Sequence, residues 1–314
     1  MDLTNVSRDD KIWKDHLRAR KLTNIWKFYD HFKKEEPLPY DEIFTDYAVW
    51  IMNSRWTDKV PFAGTYQGKE QITKLFDDYF KALEIIKFDH EYEIVDGSEV
   101  VVHFNLVAKV VATNKIFDME FFDHFRVDER AKIIFCRRYY DTFTFTLPFK
   151  KEGPSHIVDV KTNPKNHKIN FNVDYDPARL VWQIYEDFYE GRLESAKAAC
   201  HPNFEVSYKG PGLKTEYALV PYPGKYYGMS GMDEFMINLG MTATMNDIDR
   251  YFLVEGNCVE IIFYEDWSVI KNGNKYIVYT INTWLFDENG KAIEMMCSPD
   301  LYEIAKAYHP EFDL

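Results

Sequence analysis

The chain has 314 residues, 46% hydrophobic, 28% charged and 17% aromatic, which is enough apolar material for two domains of ordinary size. Its 38 basic and 51 acidic residues leave a net charge of −13, which argues against a nucleic-acid backbone or an anionic membrane surface as the main partner. No apolar run reaches the roughly 18 residues that cross a bilayer, and the charged N-terminus shows no secretory signal. Cys136, Cys200, Cys258 and Cys297 lack CxxC spacing, so a cytoplasmic protein with reduced thiols and no metal site is expected.

In chain order, residues 1–23 read as a charged arm, helical from about Lys11. A helix then places Ile25, Phe28, Tyr29 and Phe32 on one face. An extended segment at 47–52, a Pro/Gly loop and a second amphipathic helix carrying Ile72, Leu75, Phe76, Tyr79 and Phe80 follow. Strands are predicted at 86–95, 99–112, 115–127 and 132–144. Residues 146–177, rich in Pro, Lys and Asn, read as a linker in which 169–173 could add an edge strand. Next come a helix with Val181, Ile184, Tyr185 and Phe188, an extended segment at 204–208, and a helix with Met232, Phe235, Met236 and Leu239. Strands at 246–255, 258–271, 275–287 and 291–297 close the series. Asn272-Gly273 is the strongest hairpin signal, and Thr113-Asn114 stands at the matching place earlier.

The two series are copies. Ile25-Trp26-x-x-Tyr29-Asp30-x-Phe32 returns as Val181-Trp182-x-x-Tyr185-Glu186-x-Phe188, an offset of 156. Val60-Pro61-Phe62-x-Gly64-x-Tyr66-x-Gly68 returns as Val220-Pro221-Tyr222-x-Gly224-x-Tyr226-x-Gly228, an offset of 160. Val95-x-Gly97-x-x-Val100 and Asp128-Glu129-x-x-Lys132 return 159 residues later. Ordered repeats of this kind mark tandem modules, here 24–145 and 178–308, with 309–314 as a tail. Helices first and a long antiparallel meander after them predict an α+β fold and not a wound parallel sheet.

Gly64-Thr65-Tyr66-Gln67-Gly68-Lys69-Glu70-Gln71-Ile72, Phe122-Asp123-His124-Phe125-Arg126-Val127-Asp128-Glu129 and Tyr139-Tyr140-Asp141 resemble the nuclear-transport-factor-2-like superfamily. The likeness is greatest to SnoaL-like polyketide cyclases and ketosteroid isomerases. The resemblance implies two cone-shaped modules, each a curved antiparallel sheet wrapped around helices and a deep apolar pocket, paired through the outer faces of their sheets. It also puts Asp123 at the position of the family's protonated pocket acid, while the family's general base is replaced by Met52 in the first copy and Lys209 in the second.

The residues around Asp123 fit a pocket wall. Phe121 and Phe125 flank it in period two, and burial among them would raise a carboxylic acid's pKa. Two-residue turns at 113–114 would pair Phe104 with Asp123 and His103 with His124, and counting onward puts Cys136 across from Asp123, with Arg138 one pair further. Arg138 either binds a substrate carbonyl or holds Asp123 ionised in a salt bridge. Tyr29 is either a further catalytic group or a core tyrosine. The candidate catalytic set is therefore Asp123, Arg138 and Tyr29, lined by Phe104, Phe121, Phe125, Cys136, Tyr140 and Trp50. His103 and His124 fall on the opposite face, at the contact between copies, without a third metal ligand.

In the second copy Asn282 and Cys297 replace Asp123 and Arg138, so the two pockets are expected to differ. Counting pairs Phe263 with Asn282, and Glu265 shares its parity. Asn282, Glu265, Lys209, Tyr185, Trp267 and Trp284 form the second candidate pocket. A buried Lys–Glu pair there could tune either group towards neutral pH, or both could sit at solvated edges. No P-loop, dinucleotide fingerprint, GxSxG elbow or HExxH occurs, and no cofactor is expected. Three functions remain open: cofactor-free acid/base catalysis (cyclase, isomerase, dehydratase or epoxide hydrolase) on a small apolar, polyketide-, terpenoid- or steroid-like substrate, a carrier of such a ligand, and a structural pseudo-dimer.

Overall fold

The computed structural model describes residues 8–52, 60–161, 169–210 and 219–311, with the side chains of 8–13 excepted. The expected arm merges with the first module's opening helix into one unbroken α1, Arg8–Lys33, and its first seven residues lie outside the described ones. Ile25, Phe28, Tyr29 and Phe32 form its buried stripe, as the helical spacing predicts. After α2 (Tyr40–Ile43) and strands β1 (Phe44–Met52) and β2 (Gly64–Gln67), helix α3 (Gly68–Ala82) crosses the sheet. The meander β3 (Leu83–Asp96), β4 (Glu99–Val110), β5 (Lys115–Val127) and β6 (Ile133–Tyr139) completes the first module.

The second module repeats this plan. It has α5 (Pro177–Tyr189), α6 (Leu193–Ala198), β8 (Cys200–Tyr208), β9 (Gly224–Tyr227), α7 (Gly228–Thr242), β10 (Ala243–Glu255), β11 (Cys258–Val269), β12 (Lys275–Phe286), β13 (Ala292–Pro299) and α8 (Leu301–Tyr308). The repeated glycines have one cause. Gly68 and Gly228 open their helices at φ +74° and +66°, and a Cβ at either would lie 3.2 Å from a backbone oxygen, of Asp46 and Pro202 respectively.

Each module holds its own sheet, in the orders β2-β1-β6-β5-β4-β3 and β10-β11-β12-β13-β8-β9. The sheets are mixed, not purely antiparallel: β1 runs parallel to β6, and β8 to β13, because the helices intervene between the first strand and the meander. The strand expected over 132–144 ends at Tyr139. Asp141 then accepts from the backbone N–H groups of Phe143 (3.0 Å) and Thr144 (3.2 Å) and starts a short helix α4, Thr142–Thr146. The linker's strand is β7, His156–Val158, parallel to β5, and not 169–173. It occupies the lane beside Ile116, Phe117 and Asp118 that β6 is too short to reach. Residues 162–168 lie outside the described ones.

Both hairpin registers differ from the expected ones by two. Asp123 pairs with Val102 and His124 with Val101, while His103 and Phe104 pair with Phe122 and Phe121. Val110 and Lys115 are the last pair, so residues 111–114 make a four-residue turn in which Asn114 takes φ +58°. In the second copy Ser268 and Lys275 end the ladder, and Asn282 pairs with Ile261 instead of Phe263. On β6, Arg138 lies directly across from Asp123, and Cys136 across from Phe125. A shift of two keeps every side chain on its face, so the inward and outward assignments stand.

The outer faces of the sheets pack together around Tyr92, Val101, Phe122 and Tyr139 of the first module and Leu253, Ile262, Ile281 and Met296 of the second. The contact is pseudo-symmetric. The Val95 N–H donates to Glu255 (2.8 Å), and the Val254 N–H donates to Asp96 (3.0 Å), two bonds related by the repeat offset. Arg18 of α1 ties both sides through Glu93 (3.0 Å) and Glu255 (2.8 Å). The outward histidines lie in this contact as expected: His103 stacks on Phe122, and His124 meets Glu99 (2.6 Å) and Tyr251 of the other module (3.1 Å). Among the described residues no cluster of metal-ligating side chains occurs. Among the same residues no helix is long and apolar enough to cross a membrane.

Candidate functional site

In the first module Asp123 and Arg138 are fully buried and joined in a bidentate ion pair, Nε–Oδ1 2.6 Å and Nη2–Oδ2 2.7 Å. The Tyr29 hydroxyl donates to Oδ2 at 2.7 Å. Burial of Arg138 opposes its charge, but the facing Asp123 carboxylate outweighs this and raises its pKa. Burial likewise pushes the Tyr29 phenol well up, helped by Asp123. Of the two roles open to Arg138, the geometry is that of the salt bridge.

The other candidates of this module, Trp50, Phe104, Phe121, Phe125, Cys136 and Tyr140, are buried around the pair. The rings of Phe104 and Phe32 lie 5.1 and 5.3 Å from the guanidinium carbon, with Phe121, Trp50 and Tyr79 within 5.9 Å. Arg138 Nη1 makes no hydrogen bond to the protein. The centre of this cone is thus occupied by side chains.

The second module differs at its centre, where a cavity of about 230 Å³ opens. That is roughly one and a half times the ~150 Å³ cavity that holds a benzene ring. Tyr185, Trp267, Asn282, Trp284 and Glu265 of the expected set line it, together with Cys297. The repeat explains the space. Several residues facing the cavity are smaller than their counterparts: Arg138 becomes Cys297, Trp50 becomes Val206, Phe76 becomes Met236, Tyr79 becomes Leu239, and Phe80 becomes Gly240. Ala48 to Phe204, Met52 to Tyr208, Leu75 to Phe235, Ala108 to Trp267, Phe125 to Trp284 and Cys136 to Met295 go the other way, so the space comes from where the losses fall and not from a smaller lining throughout. A Cβ built on Gly240 meets nothing within 4 Å.

Lys209 is not part of this pocket. β8 ends at Tyr208, and the Lys209 side chain turns out of the module to pair with Glu120 of the first and to donate to the Val160 carbonyl (2.8 Å). Burial, then the nearby Lys225, pushes its pKa well down. The expected Lys–Glu tuning inside the pocket therefore does not occur. It fails because the residue just after the strand leaves the cone to reach a neighbour 89 positions away in sequence.

Glu265 stands without a basic partner among the described residues. Its carboxyl accepts from the Thr280 hydroxyl at 3.0 Å, and burial pushes its pKa up to about 7 against that bond and one from Trp267. Its counterpart in the first module is Leu106, fully buried in apolar core. Nearby, the Tyr185 oxygen accepts from Asn282 Nδ2 (3.1 Å) and Trp284 Nε1 (3.2 Å). Both its acceptor sites are used, so the hydroxyl proton is what it can offer. Asn282 Oδ1 is buried without a partner.

Sequence reasoning missed Tyr208, Tyr222, Met236, Leu239 and Gly240 as cavity residues. A position-by-position comparison of α3 with α7 carries the signal, because Phe80 to Gly240 is the loss of a whole ring on a helix that faces the sheet.

Residues 25–135, about a third of the chain, match the SnoaL-like domain family. No curated protein matches. Among solved structures, a nuclear-transport-factor-2-like protein from Burkholderia xenovorans is 12% identical, with 45% of this chain and 100% of that one aligned at a TM-score of 0.39. One of unknown function from Burkholderia pseudomallei is 17% identical over 42% of this chain and 97% of its own, TM-score 0.37. A protein described as a SnoaL-like polyketide cyclase from Mesorhizobium loti is 20% identical over 39% and 95%, TM-score 0.32.

Proposed function

Because the first module carries a SnoaL-like domain and the second repeats its elements, we propose that the second module's cavity binds a small, largely apolar molecule and moves a proton on it without a cofactor. Glu265 is the group that takes or gives the proton, and Tyr185 donates to a ligand oxygen and orients it. The observation that carries this reading is an apolar cavity whose one titrating carboxyl, at about 7, is populated in both forms near neutral pH. Asp123 is not assigned this role, since Arg138 and Tyr29 already occupy its oxygens.

The test uses 2-tetralone, an apolar ketone with exchangeable protons beside its carbonyl. Deuterium entry from solvent, followed by proton NMR, should be accelerated by the protein and rise with pH through about 7 as Glu265 ionises to the base. Glu265→Gln should lower the rate by about 10²-fold or more while ketone binding persists. An unchanged rate in that variant removes Glu265 from the chemistry. Tight binding of the ketone with no exchange in the wild type would favour the carrier function.

A further inference from the structure

Glu265 meets no counter-charge among the described residues. A carboxyl stands where the first module has leucine, in a cavity that no described Lys, Arg or His lines. Its protein partners are hydrogen-bond donors, not cations. The nearby Arg250 is committed elsewhere, pairing with Glu186 at 3.0 Å and lying 4.0 Å over Trp182. The Glu265 side chain is half-buried on the cavity wall, and withdrawing a carboxylate even partly from water is costly unless a cation reaches it. The walls meanwhile suit a cation: Tyr185, Tyr189, Tyr208, Trp267, Tyr276 and Trp284 present π systems to the same space. Aromatic rings attract ammonium groups, most strongly where water is excluded.

We infer that the ligand of the second module is cationic: an apolar amine or quaternary ammonium whose charge seats against Glu265 among aromatic rings. This rests on the cavity being the ligand site and adds the charge of what enters it. An ammonium there supplies the missing counter-charge and holds Glu265 ionised, the form in which it acts as a base.

Cyclohexylamine, an ammonium at pH 8, and neutral cyclohexanol are matched in size and are titrated calorimetrically into the full chain. The amine should bind at least about ten-fold more tightly. Glu265→Gln should erase this preference to within about two-fold while cyclohexanol still binds, which also shows that the cavity is intact. Equal affinities in the wild type, or a preference that survives Glu265→Gln, overturn the inference while leaving the cavity assignment standing. Binding of neither probe overturns the cavity assignment as well.

Discussion

The double substitution Asn282→Asp with Cys297→Arg is expected to close the second cavity and leave the fold intact. The two positions face each other across β12 and β13 as Asp123 and Arg138 do across β5 and β6. Tyr185 is placed to donate to the new carboxylate as Tyr29 donates to Asp123. The guanidinium then fills the space that Cys297 leaves open, and its charge is neutralised on the spot. Affinity for cyclohexanol should fall by more than about 100-fold, equivalent to ~2.8 kcal/mol. The melting temperature should stay within a few degrees. Cys297→Arg alone should also block binding but cost stability, because its charge would face an amide. Undiminished binding in the double variant would show that the ligand sits elsewhere.

The second large effect lies in the first module. Arg138→Met should destabilise the protein by about 3–5 kcal/mol, because Asp123 is left buried and uncompensated at the centre of an aromatic core. Asp123→Leu combined with Arg138→Met should recover most of that loss, since apolar residues of similar volume replace buried ion pairs at little cost. Urea unfolding of the three proteins checks this. The recovery separates a structural pair from a catalytic one, and a double variant as unstable as the single one would mean that the pair itself stabilises the fold. In the same variants, 2-tetralone exchange should persist wherever the second module remains folded.

Much of this was legible from the residues. Matched blocks at offsets of 156 to 160 placed the helices and the meander, and alternation put Asp123 inward and His103 and His124 outward. The Asn282/Cys297 replacement foretold that the pockets would differ. Registers were not legible to the residue, because Thr113-Asn114 and Asn272-Gly273 look like two-residue turns, whereas the backbone closes longer loops around the positive φ of Asn114 and Gly273. Lys209 was unreadable for another reason. Its partner, Glu120, lies in the other module, and no local pattern reports how two sheets dock. The cavity itself rests on size losses on three elements, α7, β8 and β13, and only Cys297 among them stood out alone.

The acidic balance of the chain acquires a local meaning in the second module, where one carboxyl lies in an aromatic cavity without a basic partner among the described residues. The central claim is that this cone is open at its centre and the first is filled. Anomalous diffraction from crystals pressurised with xenon, which enters apolar cavities, tests it most directly. The account predicts a xenon site between Trp284, Leu239 and Tyr208 and none beside Asp123. A site beside Asp123, or none in the second module, would contradict it.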